Sequence, residues 1–196
     1  MELIKTIEDR RSIRKFKEDQ VPGELITKLI EAARLAPSGV NIQPARYVVI
    51  KSKEARAKLN ECTQLSFVVN APVVIACCVD LQSMNDTQIR VKELIDANAF
   101  ADTTLESKGK EEKTSMDEAT IKAYLNLNVA IAIEHIALRA VDLGLGTCWV
   151  MMFDHEKAKK ILNLEDKYEI VALLPVGYPD QDPKQKIGRA SCRERG

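Results

Sequence analysis

The segment from Glu118 to Leu143 constrains the fold of this chain more than any other. It is the longest predicted helix in the 196 residues, and between Leu125 and Ala137 it carries apolar side chains on nearly every face. Such a helix must be buried on most sides, so it either crosses the centre of the domain or packs against a second copy of the chain. Gly144 follows it and can end it, because glycine readily adopts the left-handed conformation found after helix C-termini.

The other segments alternate shorter helices with a few strands, which predicts a single α+β domain. A length of 196 residues and a hydrophobic content of 45% suit one domain with a substantial core. Apolar spacing and helix-capping signals predict helices over residues 2–9, 22–36, 53–62, 88–101 and 154–162, with Asp154 as the N-cap of the last one. Apolar runs rich in β-branched residues predict strands over residues 47–51, 72–79, 146–152 and 169–176.

The balance of charge and the absence of certain motifs argue against several classes of protein. With 29 basic and 29 acidic residues the formal net charge is zero, whereas a nucleic-acid surface normally shows a basic excess. The chain has no Gly-x-Gly-x-x-Gly or Gly-Lys-Ser/Thr loop, so a nucleotide would not be held in a Rossmann or P-loop manner. There is no signal-peptide pattern, and the apolar stretch 129–140 is interrupted by charges and too short for a bilayer. We therefore expect a soluble, cytoplasmic protein.

Five cysteines occur in a chain without a secretory signal, and this odd number indicates free thiols. Cys77 and Cys78 are neighbours in a predicted strand, so their side chains should point to opposite faces and make a poor pair. No Cys-x-x-Cys or His-x-x-x-His spacing is present, and with only His135 and His155 available we expect no metal site. Both histidines are interpreted as structural or surface residues.

Three arginines and a serine occur together in the segment Arg10–Arg14, at the end of the first predicted helix. The planar guanidinium fork suits bidentate binding of phosphate, and adjacent cations repel one another unless an anion lies between them. The segment therefore predicts a phosphate cradle. On charge alone, a solvated basic turn is an equally good interpretation.

A second segment, Ala36–Pro44, ends a helix and enters a strand. Pro37 and Gly39 favour a sharp turn. The turn also carries polar side chains that could meet the edge of a heterocycle, namely Ser38, Asn41 and Gln43. The alternative is that this segment is an ordinary polar loop between a helix and a strand.

A third segment, Gly144–Met151, holds the only tryptophan of the chain, Trp149. Its glycines permit close approach of the backbone to a flat ligand. Cys148 could be a nucleophile, but no histidine or aspartate lies beside it in the sequence, so a buried structural thiol is the better interpretation.

Residues 82–119 form a polar and charged stretch in which residues 107–112 read Ser-Lys-Gly-Lys-Glu-Glu. Beyond the helix predicted over residues 88–101, we expect an excursion from the domain. Such an insertion is often a lid over a site. A solvated loop without a chemical role is equally compatible with the sequence.

Taken together and in this order, these segments resemble the nitroreductase family of flavin enzymes, over a range from Ile4 to about Pro179. The resemblance rests on Arg-Arg-Ser-x-Arg at 10–14, Ala-Pro-Ser-Gly-x-Asn-x-Gln-Pro at 36–44, Asn-Ala-Pro-Val-Val-Ile at 70–75, Gly-Leu-Gly-Thr-Cys-Trp at 144–149 and Pro-Val-Gly-Tyr-Pro at 175–179. Each motif is weak by itself, and the five in this order are a strong signal.

The resemblance implies an α+β fold with a central mixed or antiparallel sheet flanked by helices, an intertwined homodimer, and FMN bound at each subunit interface. The FMN phosphate and ribityl chain would contact Arg10, Arg11 and Ser12. Arg14 would lie near the pyrimidine edge of the flavin, where a fixed cation offsets the negative charge of the reduced ring. The partner subunit would supply the turn residues Pro37, Ser38 and Asn41, with Gly39 and Gln43 in the same segment. The other side of the ring would be lined by Cys148, Trp149, Val150 and Met151.

Two features depart from the family pattern. Relatives often have a glycine after the Cys-Trp pair, where this chain has Met151 and Met152, whose side chains could narrow the substrate pocket. Residues 187–196 resemble translated vector sequence, so we take residues 1–186 as the single FMN-binding domain. Lys184 and Lys186 would then be what remains of a basic tail that helps to hold the phosphate in relatives.

The function implied by the resemblance is that of an NAD(P)H-dependent flavin oxidoreductase. A nicotinamide would give hydride to N5 of FMN and leave, and a small electrophile such as a nitroaromatic or a quinone would then be reduced in its place. No protein acid or nucleophile is required for that exchange. Two alternatives are a specialised relative such as a reductive dehalogenase, and an FMN-binding carrier or redox sensor without significant turnover.

Overall fold

A four-stranded antiparallel sheet lies at the centre of the computed structural model, which describes residues 2–101 and 116–182. Its strands are β1 (Ala45–Ile50), β2 (Val73–Asp80), β3 (Gly146–Thr147) and β4 (Tyr168–Gly177), arranged in the order β1-β2-β4-β3. Tyr47 of β1 lies opposite Cys77 of β2, and Cys77 lies opposite Ala172 of β4. The register shifts between Cys77 and Cys78, where β4 carries one extra residue.

Seven α-helices surround the sheet within the described residues. They are α1 (Leu3–Asp9), α2 (Gly23–Arg34), α3 (Lys53–Lys58), α4 (Ser66–Asn70), α5 (Thr87–Asp96), α6 (Glu118–Asp142) and α7 (His155–Ile161). Helices α2 and α6 pack on one face of the sheet, and α3, α4 and α7 lie on the other side. The expected α+β class is confirmed, and the sheet is antiparallel.

Strand β2 separates two hydrophobic cores because its side chains alternate between the faces of the sheet. Val73, Ile75 and Cys77 belong to the core under α2 and α6, whereas Val74 and Cys78 belong to the core on the opposite face. The prediction that the two neighbouring cysteines point apart is therefore confirmed, and both are free thiols.

Helix α6 occupies the centre of the domain, which is the first of the two arrangements that its sequence allowed. Leu125, Val129, Ile133 and Ile136 are fully buried against α2 and the sheet. Its 25 residues make it the one helix in the described parts of the chain that could cross a membrane by length and composition. The apolar stretch 129–140, which the sequence analysis considered too short for a bilayer, is only part of this helix. Here the helix is instead a core element, and Gly144, with φ of 73°, ends it.

The strand predicted over residues 146–152 is shorter in the structure. Only Gly146 and Thr147 form β3, and beyond them Val150 makes an isolated bridge to Leu173. Leu173 and Val150 exchange two backbone hydrogen bonds of 3.0 and 2.9 Å. Pro175, two residues further along β4, faces the same side and has no N–H to donate, so the ladder is interrupted between these pairs.

Four further segments differ from the sequence prediction. The helix predicted over 53–62 ends as an α-helix at Lys58 and continues as a 3-10 turn, Leu59–Glu61. Helix α4 and the 3-10 turn Leu81–Asp86 were not predicted, because each is too short to show an apolar period. Helix α5 stops at Asp96 rather than near residue 101.

Candidate functional site

The arginine segment leaves α1 and runs beside β3. Ser12 forms a parallel bridge with Thr147, and the Ile13 N–H donates to the Thr147 carbonyl oxygen over 2.9 Å. This approach requires Gly146, because a Cβ built there would lie 2.5 Å from Cγ1 of Ile13. The segment is also fixed at its end, where the Arg14 N–H donates to Oε1 of Gln181 over 2.8 Å.

The three guanidinium groups have different surroundings. Arg10 is partly buried and its Nε lies 3.3 Å from Oε1 of Glu134, on α6. The Arg11 guanidinium donates to the carbonyl oxygens of Glu8 and Arg10, at the C-terminus of α1, where a cation is favourable. Arg14 has an exposed side chain. We refer to Arg10, Arg11, Ser12 and Arg14 as the cradle.

Cys148 lies against the cradle, close enough to interact with the side chains of Ser12 and Arg14. Burial raises the pKa of the thiol, and the neighbouring Arg14, Ser12 and Arg10 offset this only in part. Cys148 is 4% exposed and packs in the core with Val150. A thiol that is buried and protonated is not poised as a nucleophile, which agrees with the structural interpretation.

Beyond Cys148, the side chains of Trp149 and Met151 turn to the other side of the chain. They line a groove of about 650 Å³ between α6 and the start of β4. Two buried polar atoms on residues of this groove, Nε1 of Trp149 and Oδ1 of Asn126, have no hydrogen-bond partner within the described part of the chain. The groove has a mainly apolar lining, which also includes the charged residues Lys122, Glu156, Lys159 and Glu169.

The segment Pro37–Gln43 forms a turn with a strained backbone. Val40, Asn41 and Gln43 have φ of 45°, 55° and 49°, in the left-handed region that disfavours side chains. Asn tolerates this region, whereas a β-branched residue such as Val40 rarely adopts it. Each such residue costs on the order of 1–3 kcal/mol and persists only where the surrounding structure imposes it.

Hydrogen bonds within the turn fix its shape. The Gln43 N–H donates to Oγ of Ser38 over 3.0 Å, and Nε2 of Gln43 donates to Oδ1 of Asn41 over 2.7 Å. The Arg46 guanidinium donates to the Gln43 carbonyl oxygen and reaches Oδ2 of Asp80 at 3.3 Å, which ties the exit of the turn to β1 and β2. The side chains of Pro37, Asn41 and Gln43 are exposed.

The cradle and the turn contact α6 at two separate places. Oδ1 of Asn128 accepts a hydrogen bond of 2.8 Å from the Gly39 N–H, whereas Glu134 pairs with Arg10. Six residues separate these two positions, which puts them about 9 Å apart along the helix and roughly 120° apart around it. Within one chain, the structure brings the cradle together with Cys148 and attaches the turn to a different face of α6.

Glu134, Asn128 and Gln181 are contact residues that the sequence analysis did not single out. The signal available for the first two was a polar residue within an otherwise apolar helix, since buried polar groups need partners. Gln181 carried no such signal. Its role depends on the end of β4 returning to Arg14, a proximity that only the fold creates.

Both histidines bond to backbone carbonyl oxygens. Nδ1 of His135 lies 3.2 Å from the Ala32 oxygen, and Nδ1 of His155 lies 2.9 Å from the Ile170 oxygen. These contacts hold α2 against α6 and α7 against β4. They agree with the structural interpretation of the two residues.

The stretch 82–119 begins over the turn, since α5 packs against Gly39–Asn41. Residues 102–115, which include the charged run at 107–112, lie outside the described residues. The sequence 187–196 and the two lysines, Lys184 and Lys186, also lie outside them.

Comparison with known proteins gives concordant results. Residues 7–178 match the model of the Nitroreductase family. A protein of Thermus thermophilus named NADH dehydrogenase is 31% identical over 176 residues, covering 88% of this chain and 84% of that protein. An iodotyrosine deiodinase of Thermotoga neapolitana is 24% identical over 180 residues, covering 92% of this chain and 89% of that protein. A structure from Exiguobacterium sibiricum 255-15, solved in complex with FMN, superimposes with a TM-score of 0.79 at 22% identity, over 96% of this chain and 94% of that one. The resemblance carried by the five motifs is thus confirmed, and the chain belongs to the nitroreductase family.

Proposed function

We propose that this chain is an FMN-dependent oxidoreductase that transfers reducing equivalents from NADH or NADPH to a small electrophile such as a quinone or a nitroaromatic. The observation that carries the proposal is the continuity of the cradle with the groove. Residues 147–151 pass directly from the strand beside Ser12 to the groove wall at Trp149 and Met151.

The described residues fit FMN. The cradle offers guanidinium groups and a hydroxyl to a phosphate, with Glu134 as a single neighbouring carboxylate on Arg10. The groove has a volume within the range of small-molecule sites, and its mainly apolar lining suits a flat aromatic ring.

In this proposal, bound FMN supplies the redox chemistry by accepting hydride from a nicotinamide and passing electrons to the acceptor. The protein's residues bind and orient. Arg10 and Ser12 hold the phosphate, and Arg14 places a permanent cation where negative charge develops. Trp149 and Met151 keep water from one side of the groove.

The names of the relatives support both a nicotinamide donor and FMN. A protein named NADH dehydrogenase is 31% identical to this chain over 176 residues, and a structural neighbour was solved with FMN. These names support a nicotinamide donor and a flavin, and the acceptor is our inference from the family.

We also propose that the active form is a homodimer in the cytoplasm. Apolar side chains stand exposed on the outer face of α6, where Leu127 is 66% and Ile131 42% exposed, and on α1 at Leu3 and Ile4. Such clustered exposure marks an interaction surface. A second copy covering α6 would bring its own turn towards the cradle and groove, which one chain keeps apart.

The test is the absorption spectrum of the purified protein reconstituted with FMN, before and after anaerobic addition of NADH or NADPH. Rapid loss of the oxidised flavin band with either nicotinamide is expected. Retention of FMN without bleaching would contradict the oxidoreductase and favour a flavin carrier or sensor. Failure to retain FMN would contradict the cofactor itself.

A reductive dehalogenase is the second candidate, favoured by the similarity to an iodotyrosine deiodinase over 92% of the chain. Incubating the reduced protein with an iodinated phenol and measuring released iodide tests it. Iodide release faster than quinone or nitroaromatic reduction would favour this second function.

A further inference from the structure

We propose that Asn128 is a positioning residue for the flavin site. From the middle of α6, it fixes the position of the turn Pro37–Gln43, whose strained backbone presents Ser38 and Asn41. The inference rests on the proposed function, in which this turn contacts the cofactor of the partner subunit.

The turn needs an external restraint because its backbone conformation is unfavourable by itself. Three of its four residues from Val40 to Gln43 are left-handed, and none of those three is glycine. The bonds from Gln43 to Ser38 and Asn41 are internal, so they set the shape of the turn but not its position on the domain.

Asn128 supplies a bond from the turn to α6. Its side chain is 6% exposed, and both ends of the amide are used: Oδ1 accepts from the Gly39 N–H over 2.8 Å, and Nδ2 donates to the Tyr124 carbonyl oxygen over 2.7 Å. The orientation of the amide is determined, because a donor faces an acceptor at each end only this way round.

The side chain of Tyr124 also packs against Gly39. A Cβ added to Gly39 would lie 1.7 Å from the Tyr124 hydroxyl oxygen, so the ring lies directly on the turn. Asn128 and Tyr124 are one helical turn apart and together form a seat for Gly39. The buried Asn128 amide therefore sets the distance between the turn and α6. That distance in turn fixes the positions of Ser38 and Asn41.

The experiment compares Asn128→Ala with Val129→Ala in the full chain. Val129 is the adjacent, fully buried residue of α6, and its apolar side chain can make no hydrogen bond to Gly39. Both variants should lower the melting temperature. Only Asn128→Ala should weaken FMN binding, by about ten-fold, whereas Val129→Ala should stay within about two-fold of wild type, measured by titration below both melting temperatures.

Asn128→Asp is the second variant, since it retains the volume and an acceptor for Gly39. It should keep more FMN affinity than Asn128→Ala, and it also serves if the alanine variant does not fold. Equal FMN affinity in wild type and Asn128→Ala would overturn the proposal, as would equal losses in Asn128→Ala and Val129→Ala.

Hydrogen exchange at the Gly39 amide separates this inference from the proposed function. Exchange should be slow in wild type and Val129→Ala and at least about ten-fold faster in Asn128→Ala, because the amide loses its acceptor. If wild type takes up no FMN, the proposed function fails. The exchange measurement still decides on Asn128, and unchanged Gly39 exchange in Asn128→Ala would overturn its role.

Discussion

The cradle and the turn have opposite physical characters. The cradle is a run of charged side chains on a segment with no left-handed residue, joined to β3 by the bond from Ile13 to Thr147. The turn Pro37–Gln43 has no charged side chain and a strained backbone, and a buried amide from Asn128 contacts it. The attraction between a cation and a phosphate changes little with small shifts of the backbone, whereas a hydrogen bond from a hydroxyl or an amide requires a specific distance and angle. We therefore expect the cradle to supply affinity and the turn to supply orientation.

The largest effect is expected from separating the two regions altogether. Leu127→Glu places a charge on the exposed apolar face of α6, which should prevent association and so remove the turn of one subunit from the cradle of the other. Sedimentation should show a monomer, and FMN should no longer be retained. Leu65→Glu changes an exposed leucine on the opposite side of the sheet and should leave both properties intact. A monomer that retains FMN would show that one chain carries the whole site.

Removing charge from the cradle should have the next largest effect. Arg10→Ala should weaken FMN binding by about 10- to 100-fold, because a charge-assisted hydrogen bond contributes about 1.5–3 kcal/mol. The salt dependence of binding should also become shallower. Lys5→Ala removes a nearby cation that pairs with Asp9 on α1 and is the matched control. Comparable losses in both variants would point to general electrostatics rather than a cradle.

Displacing the turn should lower FMN affinity less than it lowers the rate of flavin reduction, which depends on how the flavin is oriented. Gly39→Ala inserts a methyl group against Tyr124, and we expect FMN affinity to fall about ten-fold with a larger fall in the rate of flavin reduction by NADH. Tyr124→Ala in the same chain should restore much of both, because Gly39 itself has an ordinary φ and only space is lacking. An unrescued double variant would argue that Gly39 acts through its flexibility instead.

The smallest effect concerns pH and lies outside both regions. The backbone N–H of Lys157 holds the pKa of Asp154, the N-cap of α7, below its ordinary value of 3.8. A carboxylate with a lowered pKa stabilises the fold above its unfolded pKa and loses that contribution as pH falls through the folded one. Asp154→Ala should therefore melt below wild type at pH 7, and the difference should narrow below about pH 4. A constant difference down to pH 2 would contradict the cap.

Sequence predicted the main elements of the fold. Apolar periodicity located α2 and α6, and the β-branched run located β2, because burial on a fixed face imposes these patterns directly. The alternation of Cys77 and Cys78 followed from the same rule. The extent of β3 did not follow, since its interruption depends on Pro175 in a strand that lies elsewhere in the sequence.

The sequence by itself determined the chemistry of this protein: a cluster of guanidinium groups, a polar turn, a tryptophan beside glycines, and the family that joins them. These are properties of side chains and of short spacing, which do not require a fold to be recognised. Only the tertiary structure decided that Asn128 accepts a hydrogen bond from Gly39, that Glu134 pairs with Arg10, and that the cradle and the turn contact different faces of α6. The reason is physical: such contacts join residues some 90 to 120 positions apart, and packing of the helices on the sheet alone brings them together.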